Sequence, residues 1–391
     1  MDQISNPYRP GAGTPPPALI GRDDLIDRFG VTLQRTLSGR PGKGFLPTGL
    51  RGVGKTVLLN RFISIASDEG VKTAFIESPE SGDFASLLAI RLRRILLEMS
   101  TGALKAAVSK AAVSRALGAL RSFTLQLPDG SSIALGVDPL VGYGDSGILA
   151  EDLTDVVVSV GEAAAQQGTG LLLGIDEIQY LKSEELGAVI AAIHRTTQRE
   201  LPVLLVGAGL PQLPGLAGEA KSYAERLFEF PEIGSLPPEQ ARQALMLPAL
   251  ELGVEYEDPA LEQLVEEAHG YPYFLQEWGY HVWDGSPRSP ITVEDVNSVR
   301  AGVVATLDQN FFRVRLNRLT PKEKEYLQVM AELGPGPHRS GDIAARLGVK
   351  VESVAPRRSA LIAKGMIYSP AHGDTAFTVP LFDDFLRRTS M

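Results

Sequence analysis

Cysteine is absent from all 391 residues, which excludes disulfides, thiolate metal sites and cysteine nucleophiles. Histidine is scarce: the five present show no HExxH or similar pairing, which argues against a dedicated zinc site. No run of about 18 apolar residues is available to span a bilayer. The N-terminal MDQISNPYRPGAGTPPP has neither the charged start nor the apolar core of a signal peptide. The expectation is a soluble cytoplasmic protein with no membrane partner. Its length suggests two or three domains, each with enough apolar residues for a core.

Charge is uneven. From Arg315 onward there are 12 Lys+Arg against 8 Asp+Glu, a net +4; subtracted from totals of 38 and 47, this leaves 26 against 39, or −13. An acidic body with a mildly basic end suits a chain whose tail meets nucleic acid, and suits ordinary surface variation equally well.

What is present most distinctively is Gly49-Leu50-Arg51-Gly52-Val53-Gly54-Lys55-Thr56, which fits the phosphate-binding pattern GxxxxGK[ST] at every specified position. Small residues let successive backbone N–H groups curl around a phosphate, and the next helix adds its positive N-terminal end. Lys55 is then expected on the β- and γ-phosphates and Thr56 on Mg²⁺, with Val57 opening the helix. Gly44-Phe45-Leu46 reads as the preceding strand, with Pro47 tolerated near its end. The second informative stretch is Gly170-Leu171-Leu172-Leu173-Gly174-Ile175-Asp176-Glu177. A continuous apolar run suits a parallel strand covered on both faces. At its end, Asp176 is the candidate metal ligand and Glu177 the candidate base for an attacking water.

Around these lie an extended arm (residues 1–18), an entry helix with Leu25, Ile26 and Phe29 on one face that could place the preceding Leu19 and Ile20 against an adenine ring, and strands at 71–77, 201–209 and 227–233. An inserted β-hairpin within about 118–148 is predicted from Phe123–Leu127 and Ser132–Val137, which alternate about Pro128-Asp129-Gly130. The fold class is therefore α/β: a three-layer P-loop core over residues 19–235 with a parallel sheet. Residues 236–312 read as a helical lid of four helices, in which Tyr271, Tyr273, Phe274, Trp278, Tyr280 and Trp283 supply packing. Residues 313–391 read as three helices and a two-stranded hairpin, a winged helix-turn-helix. Its candidate DNA contacts are Lys350, Arg357, Arg358, Lys364 and His372; such domains also serve as protein-interaction modules.

The strings NPYRPG, GLRGVGKTVLLN, GAGLPQLPGL, AKSYAERLF, GYPYFLQE and GPGPHRSGDIA resemble those of bacterial ATP-binding proteins with an origin-recognition-like AAA domain, over nearly the whole chain. The resemblance implies a three-layer ATPase core, Mg-ATP as ligand, and oligomerisation or association with double-stranded DNA. Two departures stand out. After the fourth strand, Gly209-Leu210-Pro211 replaces the usual polar residue, leaving Gln212 as the nearest candidate. In the lid, Tyr273 stands where initiator ATPases carry arginine, as in signal-transduction (STAND) ATPases. Arg226 falls where relatives carry an arginine finger that completes a neighbour's site; a surface salt bridge is the other reading. These departures imply slow or conditional ATP hydrolysis. The expected role is a nucleotide-governed switch controlling the winged helix, with a STAND-like regulatory or scaffold ATPase that binds a protein as the alternative.

Overall fold

The computed structural model describes residues 1–389 except 12, 41, 80–82, 102–106, 128–136 and 372. The chain forms two compact units: Asp23–Thr48 with Lys55–Glu232, and Met1–Arg22 with Gly49–Gly54 and Ile233–Met391.

The first unit is built on five parallel strands: β1 (Gly44–Phe45), β2 (Lys72–Glu77), β3 (Leu171–Asp176), β4 (Val203–Gly207) and β5 (Phe228–Glu229). Their order is β2-β3-β4-β1-β5. The two apolar runs, LLLGID and VLLVG, are buried at every residue, as central strands covered on both faces must be. Register places Glu77 beside Asp176 and Ile175 beside Gly207, so the carboxyl ends of the strands lie level. That edge is where ligands bind in open α/β sheets. The β1 strand stops two residues before Pro47, which therefore costs no ladder bond.

The expected hairpin is corrected here. Phe123–Gln126 ends a helix, Ala107–Gln126, whose Val113, Ala116, Leu117, Leu120 and Phe123 are buried at steps of three and four residues. The five-residue alternation Phe-Thr-Leu-Gln-Leu was too short to outweigh that longer period. The turn at 128–130 and all of the second predicted strand but Val137 lie outside the described residues. Downstream, the loop at 141–147 folds onto the helix Leu149–Gln166, with the N–H groups of Ser146 and Gly147 donating to Asp152 at 2.8 and 3.0 Å.

In the second unit, helices Pro238–Leu250, Asp258–Ala268, Pro272–Gly285 and Val293–Thr306 follow the predicted spans closely. The last continues through an unforeseen π-helical turn, Leu307–Arg313. Tyr271, Phe274, Trp278 and Trp283 are buried, whereas Tyr280 is exposed. The N-terminal arm is anchored there: Tyr8 packs edge-on to Trp283, and Asp2 accepts a bond from the Trp283 indole at 2.9 Å. Helix Pro321–Glu332 opens on the predicted capping box, Thr320 with Glu323. Then come β6 (His338–Arg339), helices Ser340–Arg346 and Val351–Ala363, β7 (Ile367–Tyr368), β8 (Asp374–Phe377) and helix Phe382–Thr389. The three strands pair antiparallel in the order β6-β8-β7. Because the helix begins at Val351, Pro356 sits in its interior and not in its first turn as expected. Neither β6 nor the final helix was anticipated; Phe382 and Phe385 of that helix pack on Phe312.

Candidate functional site

At the carboxyl end of β3 the Asp176 carboxylate is buried and doubly held. The Thr56 hydroxyl donates to one oxygen at 2.6 Å, and the Glu177 N–H donates to the other at 2.9 Å. Burial pushes the Asp176 carboxyl above its usual range, opposed by the Thr56 bond and assisted by the nearby Glu177 charge. Lys55, at the start of helix Lys55–Asp68, is buried at 6% exposure, a position that demands a charged partner or ligand, and its charge favours ionised Asp176.

Glu177 leaves the strand in a left-handed conformation, φ 50°, which turns the chain into a 3₁₀ turn, Ile178–Tyr180. That turn brings Gln179 back beside Glu177, where its side-chain amide donates to the Glu177 carboxylate. The Gln179 carbonyl accepts the Leu210 N–H, just beyond β4, at 3.1 Å. Gln179 was missed by sequence reasoning, and Gln212, nominated instead, does not fill that place: its Oε1 is buried with no bond among the described residues. The only signal in the sequence was a polar amide two residues after the acid pair. Gly209 leaves room at this point: a Cβ there would come within 3.0 Å of the Gln179 carbonyl oxygen and a Leu213 methyl, and those side-chain ends would have to shift. Arg226 is exposed on a four-residue helix, Ala224–Leu227, and forms no ion pair among the described residues. The salt-bridge reading of that residue is therefore not met.

The loop Gly49–Gly54 belongs to the second unit, and its glycines Gly52 and Gly54 take φ values of 89° and 92°, which side-chain-bearing residues rarely adopt. Its backbone is bonded at three points. The Tyr271 hydroxyl donates to the Arg51 carbonyl, the Tyr273 N–H to the Gly52 carbonyl at 3.2 Å, and the Arg51 N–H to the Thr378 carbonyl at 3.1 Å. Arg22 adds bonds to the carbonyls of Val53 and Gly234. Tyr273 stacks on Phe311 and donates its hydroxyl to Glu277 at 2.7 Å. Arg315 lies 4.0 Å over the Phe311 ring, and burial together with the Arg51 charge lowers its pKa to about 10. Leu19, Ile20, Leu50 and Val57 are half-buried.

The predicted DNA contacts are largely committed elsewhere. Arg357 pairs with Glu325 at 3.3 Å, and Lys364 pairs with Glu323 at 2.8 Å. Arg358 donates to Ser369, Thr375 and the Asp374 carbonyl, tying its helix to the hairpin. Lys350 is exposed at the start of the helix, and His372 lies outside the described residues. Among the described residues of the predicted set, Lys350 is the one with no ion pair or side-chain hydrogen bond.

For a divalent cation, the touching oxygens of Thr56 and Asp176 are hard donors of the kind Mg²⁺ takes, with water and substrate phosphate completing its shell. Among the described residues no group of three or more His, Cys, Asp or Glu could hold a metal by itself. The donor set therefore fits an ion brought in with a phosphate ligand.

A parallel sheet with a glycine-rich loop after β1 and an acid pair ending β3 resembles the core of the P-loop AAA+ ATPases. Residues 18–206 match the family model described as AAA ATPase domain, and residues 309–386 match one described as a domain of unknown function. Among solved structures, a Walker-type ATPase of Pyrococcus abyssi superposes with a TM-score of 0.56 at 15% identity, covering 94% of this chain and 97% of its own. The Holliday junction branch migration motor RuvB of Thermotoga maritima gives 0.45 at 16% identity, over 94% of this chain and 95% of its own. The ORC1 protein of Aeropyrum pernix in complex with DNA gives 0.47 at 17%, over 95% and 93%. No functionally curated protein matches in sequence. Among the described residues no helix is long and apolar enough to cross a membrane.

Proposed function

We propose that this chain is an ATP-binding, ATP-hydrolysing switch whose nucleotide state is read by its C-terminal segment. The observation that carries the reading is the 2.6 Å bond between Thr56 and Asp176, which joins the last residue of the phosphate motif to the acid ending β3. In this reading Gly49–Thr56 wraps the phosphates and Lys55 neutralises the β- and γ-oxygens. Thr56 and Asp176 would hold Mg²⁺, which when bound supplies charge neutralisation at the phosphates. Glu177 takes a proton from water as the water oxygen bonds to the γ-phosphorus; the bond to the β,γ-bridging oxygen breaks, and ADP and phosphate leave. The exposed Arg226 is available to complete the site of a second copy.

The C-terminal helices with their antiparallel sheet are read as a winged helix, and its link to the loop is the Arg51–Thr378 backbone bond. Double-stranded DNA is one candidate target. The ion pairs of Arg357 and Lys364 favour the second reading, a protein partner, because each such pair removes a charge a phosphate would need. The test is ATP binding and turnover, with and without duplex DNA, for wild type, Lys55→Ala and Glu177→Gln. Lys55→Ala is expected to lose ATP binding; Glu177→Gln should keep it and lose turnover by at least about a hundredfold. Normal hydrolysis by Glu177→Gln would overturn the assigned base, and absence of any duplex shift at low salt in either nucleotide would leave the protein-partner reading.

A further inference from the structure

We infer that Gln179 is the positioning residue of the hydrolytic step, taking the place at the end of β4 that neither Gly209 nor Gln212 fills. The inference rests on the ATPase reading and names how Glu177 would be aimed. A glutamate just past a strand end, with φ 50°, has nothing in its own backbone to fix its side chain, since its carboxylate turns about three single bonds. The 3₁₀ turn Ile178–Tyr180 supplies what is missing by carrying an amide back over it.

The geometry is directional. The Gln179 NH₂ donates to Glu177, and the Gln179 carbonyl accepts the Leu210 N–H at 3.1 Å. An amide has one donor end and one acceptor end, so the Leu210 N–H fixes which way it faces, and a donor always meets the carboxylate. Two strands are thereby joined through one side chain. The acid follows β3, the anchoring N–H follows β4, and the two strands pair directly, with Ile175 level with Gly207. A shift of the segment after β4 must therefore turn the Glu177 carboxylate. The bare Gly209 makes room for the amide, because a Cβ there would meet the Gln179 oxygen at 3.0 Å. Gln212 makes no such link: its Oε1 is buried with no bond among the described residues.

The test uses the full chain and Gln179→Met, which keeps the volume and flexibility of the side chain and loses both bonds. A donor to a carboxylate contributes enough that turnover at saturating Mg-ATP should fall about ten- to a hundredfold while ATP affinity stays within about twofold. The double variant Gln179→Met, Glu177→Gln separates positioning from general structural support. If Gln179 acts only through Glu177, adding Gln179→Met to Glu177→Gln lowers residual turnover no further. Turnover of Gln179→Met within twofold of wild type would overturn the inference. So would an equal loss of ATP affinity, or an additive loss in the double variant. A wild type that binds and turns over no ATP would instead overturn the ATPase reading itself, together with this inference.

Discussion

Asp176 illustrates how one residue can oppose folding and yet be central to a proposed site. Burial raises its folded pKa above the ordinary carboxylate value, so the native chain holds that proton more tightly than the unfolded chain does. Its contribution to stability is fully present below the unfolded value and is lost as pH rises through the raised folded value. Asp176→Asn should therefore raise the urea midpoint of the nucleotide-free protein at pH 7, and the gain should shrink as pH approaches 4. A pH-independent difference, or an Asn variant that is the less stable at pH 7, would contradict the burial argument. The same substitution should weaken Mg-dependent ATP binding. Asp176 and Glu177 were legible because an apolar run followed by two acids needs little context. Gln179 was not, since a lone amide in a turn acquires meaning only from the Leu210 N–H, contributed by a different strand.

At the scale of elements, the helix Val351–Ala363 shows why a list of cations is a weak guide to a nucleic-acid face. Periodicity located the helix, but not which of its sides is packed. Arg358 faces inward and ties its helix to the hairpin by bonds at 3.0 Å to Thr375, 2.6 Å to Ser369 and 3.0 Å to the Asp374 carbonyl. Arg358→Ala is expected to destabilise the chain by about 2 kcal/mol, the contribution of hydrogen bonds to a charged group, as read by urea unfolding. The salt dependence of any DNA binding should be unchanged, because no phosphate contact is removed; a slope lowered by about one unit would restore Arg358 as a DNA contact. The misread hairpin has a similar cause. Five alternating residues cannot reveal that they close a twenty-residue helix, Ala107–Gln126, whose apolar side is defined by what packs on it.

For the whole molecule, the telling feature is where the phosphate loop falls. Gly49–Gly54 groups with the chain's N-terminal residues and with Ile233–Met391, so Tyr271, Tyr273 and Thr378 bond to the backbone for which phosphate binding is proposed. A loop that tightens around phosphates must adjust the Arg51–Thr378 and Tyr273–Gly52 bonds, and with them the hairpin ending at Phe377. Hydrogen exchange of the full chain with ADP and with a non-hydrolysable ATP analogue should therefore differ over β7 and β8. Equal protection in the two states would remove the proposed coupling.

The sequence by itself determined the phosphate motif, the acid pair, the buried strands and most helix spans. Each of these is a local pattern: a glycine spacing, an apolar run or a 3.6-residue period. It could not determine which charged side chains are paired with other residues of the chain, as Arg357, Arg358 and Lys364 are. Nor could it show that Gln179 stands over Glu177, or that Thr378 accepts the Arg51 N–H. Those are pairings between residues distant in sequence, and for a hydrogen bond or ion pair the partner's position, set only when the strands and helices pack, decides whether a polar group is held or left open to a ligand.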